Sequence, residues 1–265
     1  MVIKYVNLEA LNLRTAPQIS PSNRLGVLHL GQAVTPQGEP DTAGWIKVAA
    51  TLAGTDQSGF VKAEIDGQPS LRDPVSASRE ALVSIVIQQW LRFERGLGQE
   101  YSDPFYKYVG EMWKAIGQNL DGKDRDVPWS AAFISFAVRQ SAQTIAKYDN
   151  FKFAAAHARY IHDAISRRNR GDNAAPYWGH RLHERAPAIG DMVGRWRETP
   201  RDYDDAEKND SFKSHCDIIV NVRPDSVLAI GGNVGQSVSL TRYAKTGAGF
   251  LAPENGTFVH LVNMT

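Results

Sequence analysis

The sequence shows two successive patterns of hydrophobic and polar positions. Residues 1–66 alternate apolar and polar side chains in short runs separated by Pro, Gly, Asn and Asp, which predicts strands of a small barrel. From residue 79 onward, apolar residues recur at helical spacing as far as about residue 168. Strand-like alternation returns after Pro187. Helices followed by strands favour an α+β domain over repeated β-α-β units.

The segment DGQPSLRDPVSAS at residues 66–78 separates the two patterns, and its Gly, Pro and Ser content predicts a linker. The expected domains are therefore residues 1–66 and 79–265, joined by a linker at 67–78. Helices are expected over residues 79–95, 105–116, 128–142 and 154–168. Strands are expected over 4–6, 25–30, 45–49, 59–61, 191–195, 216–222, 227–230, 237–242 and 257–262. Residues 169–184 and 198–214 are predicted to be polar loops.

Composition excludes several kinds of site. Hydrophobic residues make up 42% of the chain, charged residues make up 22%, and the net charge is +1, so nothing indicates a nucleic-acid partner. Cys216 is the single cysteine, which excludes an intramolecular disulfide and a Cys-rich zinc site. The seven histidines form no HExxH pattern. We therefore expect no metal and no cofactor, with His180 and His183 in a surface loop.

The N-terminal pattern is specific enough to suggest a family. LNLRTAP at residues 11–17, Gly26, GWIKV at 44–48 and GFV at 59–61 resemble the corresponding segments of bacterial SH3 domains. Ala16, where Gly is usual, and an insertion at 51–58 depart from that pattern. The resemblance implies a small β-barrel that binds peptidoglycan or a protein partner. Trp45 and Tyr5 are candidates for its aromatic binding surface, although Trp45 as a core residue is the favoured alternative.

Four segments in the larger part of the chain resemble papain-like cell-wall amidases and endopeptidases of the NlpC and CHAP groups. They are PWSAAFIS at 128–135, AIGDMV at 188–193, SHCDIIV at 214–220 and IGGNV at 230–234. Residues 80–262 as a whole resemble the bacterial family called domain of unknown function 2272, through WSAAFIS, HCDIIV and an AHxxYI segment at 156–161. The resemblance implies a papain-like α+β fold.

The resemblance also implies a site. Ser130 occupies the position of the cysteine nucleophile at a helix N-terminus, where backbone N–H groups and the helix dipole favour an anion. His215 is implied as the base and Asn233 as the residue that orients it. A hydroxyl needs a more basic imidazole than a thiol does, and Asp217, on the same strand face as His215, is an alternative partner. A capping role for Ser130 remains the other interpretation.

Further candidates surround this implied triad. Trp129, His157, Tyr160 and Trp45 are expected to bind substrate; His157 and Tyr160, three residues apart on a helix, are equally compatible with a packed pair or a second acid–base group. Cys216 is expected to point away from His215 as an inert core thiol.

Three functions are compatible with the sequence. The first is a peptidoglycan amidase or endopeptidase that uses Ser130, the second is a catalytically silent relative that binds cell wall or a protein, and the third is a serine esterase or acyltransferase. The N-terminus lacks the basic start and apolar run of a signal peptide, and no stretch is apolar enough for a membrane span. We therefore expect a protein made in the cytoplasm that reaches the wall by a non-classical route, as a secretion effector or a phage-related protein.

Overall fold

The computed structural model describes residues 2–265 and divides the chain into two compact units. The first unit ends at Val75 and the second covers residues 76–265. Across the described residues, no helix is both long enough and apolar enough to cross a membrane.

The first unit is built of short antiparallel strands. They are β1 (Lys4–Val6), β2 (Ala10–Arg14), β3 (Arg24–His29), β4 (Ala33–Pro36), β5 (Trp45–Leu52), β6 (Thr55–Lys62), β7 (Glu64–Ile65), β8 (Gln68–Pro69) and β9 (Leu71–Arg72). Seven of them form one sheet in the order β3-β2-β6-β5-β4-β1-β9, and β7 pairs with β8. Alternation along the strands buries Leu11, Leu13, Val48 and Val61 in one core, as expected for a sheet with one apolar face.

The predicted linker differs from the structure over residues 68–72. Here β9 pairs with β1, with Val6 opposite Leu71, and Leu71 is part of the core of the first unit. Two-residue strands are too short to show an alternating pattern, so the Pro, Gly and Ser content hid them. The prediction of a linker over 67–78 is therefore wrong for these residues.

The second unit places helices before most of its strands. The helices are α1 (Ala77–Arg92), α2 (Phe105–Lys114), α3 (Ser130–Ala142), α4 (His157–Asn169) and α5 (Tyr203–Lys208). The strands are β10 (Tyr177–His180), β11 (Met192–Trp196), β12 (Ser214–Val222), β13 (Ser226–Val234), β14 (Ser237–Ala244) and β15 (Thr257–Asn263). They form one antiparallel sheet in the order β10-β15-β11-β12-β13-β14. The unit is mixed α/β.

The two predicted loops contain regular structure. β10 lies within 169–184 and pairs with β15, and α5 lies within 198–214. Each has six residues or fewer. Asp202 caps the N-terminus of α5 through a reciprocal capping box with Asp205. Because the helix is short and polar, its sequence has the composition of a loop.

Helix α3 packs directly on β12 and β13, and this packing positions the site. Its residues from Ser130 to Val138 are all buried. The approach to β13 is close at Gly232, where an added Cβ would lie 2.4 Å from Cβ of Phe133. Glycine at this position therefore lets the beginning of α3 rest on the sheet.

Candidate active site

Ser130 is the first residue of α3 and has a histidine as its immediate partner. Its Oγ lies 2.7 Å from Nε2 of His157, the first residue of α4. Both residues are buried. Two helix beginnings therefore bring together a hydroxyl and an imidazole that are 27 positions apart in the sequence. The predicted contact of Ser130 with His215 is wrong, because His157 takes that place.

The other ring nitrogen of His157 sets the direction of this hydrogen bond. The backbone N–H of Cys216 donates to Nδ1 over 3.1 Å, and the hydroxyl of Tyr160 also contacts Nδ1. A backbone amide can only donate, so Nδ1 is an acceptor and the proton of the neutral ring is on Nε2. Nε2–H therefore donates to Ser130 Oγ. Burial is the main cause that holds the pKa of His157 well below its ordinary value, and the positive charges of Arg197 and Arg195 add to it.

His215 belongs to a separate buried pair. Its Nε2–H donates to Oδ1 of Asp217 over 2.6 Å, and Arg197 donates to its Nδ1 over 3.1 Å. Because an arginine has no acceptor, this contact fixes the ring as the Nε2–H tautomer. The hydroxyl of Tyr243 donates to the second carboxylate oxygen of Asp217. Burial alone would raise the pKa of Asp217, but its contacts with His215 and Tyr243 lower it below its ordinary value.

Asn233 does not orient His215, because both ring nitrogens are already bound. Asn233 is half-buried in the irregular part of β13, with a positive φ of 56°, a conformation that asparagine tolerates. The sequence prediction for Asn233 is wrong, and Asp217, its alternative, is the residue that the geometry gives. Alternation along β12 explains this, since residues 215 and 217 share a face.

The pair of His215 and Asp217 also depends on a glycine in the neighbouring strand. A Cβ added to Gly231 would lie 1.7 Å from Oδ1 of Asp217 and 3.0 Å from Nε2 of His215. Any larger residue would occupy the space of this hydrogen bond.

Cys216 lies next to His215 in the sequence, and its thiol is placed in the core. Its side chain is fully buried, and burial raises the pKa of the thiol well above its ordinary value. Its backbone N–H, rather than its sulfur, contacts His157. The rings of His157 and His215 nevertheless lie close, with centroids 5.1 Å apart.

The aromatic residues expected to bind substrate are mostly structural. Trp129 is 2% exposed, stacks on Phe93 at 5.8 Å between ring centroids and donates its Nε1–H to Glu100. It therefore holds the beginning of α3 instead of offering a binding surface, which corrects the prediction. Tyr160 is fully covered and supports His157. Trp45, in the first unit, is 5% exposed and borders a cavity of about 330 Å³.

His180 and His183, both expected in a surface loop, have different environments in the structure. His180 is buried in β10, 3.3 Å from Glu184, and burial lowers its pKa to about 4. His183 is exposed, in agreement with the surface loop expected there, whereas His180 is not in a loop. Within residues 2–265, no group of three or more His, Cys, Asp and Glu side chains is placed to hold a metal ion.

Two residues that contact the pair of His215 and Asp217 were not predicted from the sequence: Arg197 and Tyr243. Arg197 follows the end of β11 and Tyr243 lies on β14. Neither belongs to a recognisable segment. Their roles come from sheet pairing, which sets Arg195 opposite His215 and Tyr243 opposite Val227.

Comparison with known proteins gives one informative match. No curated protein matches the chain. Two solved structures, NlpC2 and NlpC1 from Trichomonas vaginalis, align over 95% of this chain and over 72% and 68% of theirs, each with 10% identity and a TM-score of 0.30. The family model described as "Uncharacterized protein conserved in bacteria (DUF2272)" matches residues 95–261. This range contains Ser130, His157, His215 and Asp217. The chain is thus a member of the DUF2272 family.

Proposed function

We propose that the second unit is a hydrolase that cleaves an amide bond of cell-wall peptides, with Ser130 as nucleophile and His157 as base. The observation that carries this proposal is the 2.7 Å contact between Ser130 Oγ and His157 Nε2 at the beginning of α3. The resemblance of the surrounding segments to wall amidases and endopeptidases supports the substrate class. His157 replaces His215 in the scheme that the sequence suggested.

The chemistry follows the usual order of acyl transfer. Ser130 gives its proton to His157 Nε2 while Oγ attacks the carbonyl carbon. The N–H groups in the first turn of α3 face the developing oxyanion. Protonated His157 then gives the proton to the leaving amine, which leaves an acyl ester on Ser130. Water, deprotonated by the same ring, attacks the ester and restores the hydroxyl.

The resting hydrogen bonds oppose the first step. To accept a proton at Nε2, the ring must carry its proton on Nδ1, where the hydroxyl oxygen of Tyr160 is placed to accept it. The N–H of Cys216 then loses its acceptor, which costs about 1–3 kcal/mol for a buried amide. The reactive tautomer is thereby reduced roughly 5- to 150-fold. We therefore expect slow turnover.

The test is digestion of purified sacculi, with released amines and fragments measured by mass spectrometry. Wild type should release fragments and Ser130→Ala should not. Ser141→Ala is the matched control, since this serine is in the same helix and its hydroxyl bonds only to the carbonyl of Ala137. Equal release by Ser130→Ala and wild type would exclude the mechanism. Parallel assays with p-nitrophenyl acetate and a p-nitroanilide separate esterase from amidase activity.

A catalytically silent binding protein is the second candidate, and the same Cys216 N–H bond favours it. With Nδ1 held as an acceptor, Nε2–H donates to Ser130 Oγ, so the hydroxyl has no base. This candidate predicts sedimentation of the intact protein with sacculi and no released fragments. Any product that depends on Ser130 would reject it.

For the first unit we propose an SH3-like module that binds peptidoglycan or a protein partner. The cavity beside Trp45 supports this, because its lining combines the apolar ring of Trp45 with two basic residues, Arg14 and Lys62, and two acidic residues, Glu64 and Asp66. In this proposal Lys62 pairs with an acidic group of the ligand. Lys62→Glu in the full-length chain should reduce sedimentation with sacculi, while Lys47→Glu, which is outside the cavity, should not.

A further inference from the structure

The second unit contains a cavity that the proposed hydrolase site does not use. Its volume is about 740 Å³, within the usual range for small-molecule pockets. Its lining contains none of Ser130, His157 and His215. Four aromatic residues give it apolar walls: Trp196, Tyr203, Phe250 and Phe258.

Of the two arginines that line this cavity, Arg181 and Arg201, only Arg181 has an acidic partner in the described part of the chain. Arg181 is paired with Asp204 and lies over the ring of Tyr203 at 4.4 Å. Arg201 forms no ion pair within residues 2–265, and its buried Nε has no hydrogen-bond acceptor there. The neighbouring Asp202 is committed to α5, where its carboxylate accepts the N–H of Asp205 over 2.8 Å. An unpaired guanidinium therefore borders an aromatic cavity.

We propose that this cavity binds a small molecule with an aromatic body and one carboxylate. The aromatic body would occupy the space between Trp196, Tyr203 and Phe258. The carboxylate would accept hydrogen bonds from the guanidinium of Arg201, whose planar donors match two carboxylate oxygens. A guanidinium that has no acidic partner among the described residues gains one in this complex, which gives the site a preference for an anion over a neutral analogue.

The test uses isothermal titration calorimetry on the full-length chain with 2-naphthoate and its neutral analogue 2-naphthamide. Wild type should bind one naphthoate, and bind naphthamide about tenfold more weakly. Arg201→Gln should bind both with the lower affinity. Arg185→Gln is the control, since Arg185 is exposed and outside the lining. Ala248→Trp, which fills the cavity from its exposed edge, should abolish binding of both compounds.

Three results would each overturn the proposal. The proposal is overturned if wild type fails to bind naphthoate at millimolar concentration, if naphthoate and naphthamide bind equally, or if Arg201→Gln binds like wild type. Thermal unfolding of each variant checks that the fold is kept, and Ala248→Trp tests the site without changing a charge. Ser130→Ala should bind naphthoate like wild type, so the result is independent of the hydrolase proposal.

Discussion

Ser130 Oγ and His157 Nε2 lie 2.7 Å apart, and the ring nitrogen is the donor of the hydrogen bond between them. The direction follows from the opposite side of the ring, where Nδ1 accepts the N–H of Cys216. In a serine hydrolase the hydroxyl must instead donate to the imidazole. The two residues are those of a nucleophile–base pair. In the resting state, however, the imidazole donates the hydrogen bond, as it would to an oxyanion or a thiolate.

Ser130→Cys is the sharpest test of this polarity. A thiolate accepts hydrogen bonds, so the resting Nε2–H of His157 and the beginning of α3 would both stabilise it. We expect the variant to react with iodoacetamide near neutral pH and to cleave wall amides faster than wild type. The single native thiol, Cys216, is buried, so wild type serves as the unreactive control. A variant that neither alkylates nor cleaves would contradict a papain-like site.

Replacement of His157 should mainly lower activity, whereas replacement of His215 should mainly lower stability. His157→Gln is expected to lower fragment release by about 10²–10⁴-fold, the usual contribution of a general base. His215→Gln mainly removes a buried partner of Asp217 and should lower the melting temperature more than His157→Gln does. Rates at a temperature where both variants are folded, together with their thermal midpoints, separate the roles. Loss of activity confined to His215→Gln would restore the base that the sequence implied.

Asp217→Asn should destabilise the second unit by about 1.5–3 kcal/mol, because it weakens charged hydrogen bonds from His215 and Tyr243. Asp126→Asn, an exposed site, is the control. The pKa of Asp217 is lowered in the folded chain, so its contribution is present above the unfolded pKa and is lost as pH falls through the folded value. Urea unfolding should therefore show a constant difference at pH 6–8 that shrinks in strong acid. A difference independent of pH would contradict the ionised state.

Acid should destabilise the fold through the buried histidines before the carboxylates titrate. Burial lowers the pKa of His180 to about 4 and that of His157 well below its ordinary value. The unfolded chain therefore binds more protons as pH falls from about 6.5, and stability decreases towards pH 4. His180→Gln should flatten this part of the urea-unfolding profile, and His183→Gln, at an exposed position, should leave it unchanged. Identical slopes for wild type and His180→Gln would refute the assignment.

Gly231→Ala should damage the pair of His215 and Asp217 directly. The added Cβ would lie 1.7 Å from Asp217 Oδ1, and overpacking of this kind costs about 1–3 kcal/mol. Gly247→Ala is the matched control, because its Cβ would meet no atom within 4 Å. Thermal unfolding measures both variants, and equal midpoints would show that β13 can move away from β12.

Local pattern alone predicted much of the architecture. Alternation and helical spacing located the main strands and helices, and the period of two along β12 placed His215 and Asp217 on one face of that strand. The same pattern directed the side chain of Cys216 into the core. These features depend on residues close together in the chain, so a single sequence contains them.

Tertiary structure decided which groups meet and which of them donates. His157 reaches Ser130 because two helices begin at one point of the sheet, and Arg197 and Tyr243 reach the second pair through strand pairing. The short strand β9 belongs to the first core for the same reason. A residue pattern records the type of each side chain, whereas the direction of a hydrogen bond depends on atoms brought from distant segments. Ser130 is therefore a nucleophile candidate by sequence, and its resting role as an acceptor follows from the N–H of Cys216 on another element.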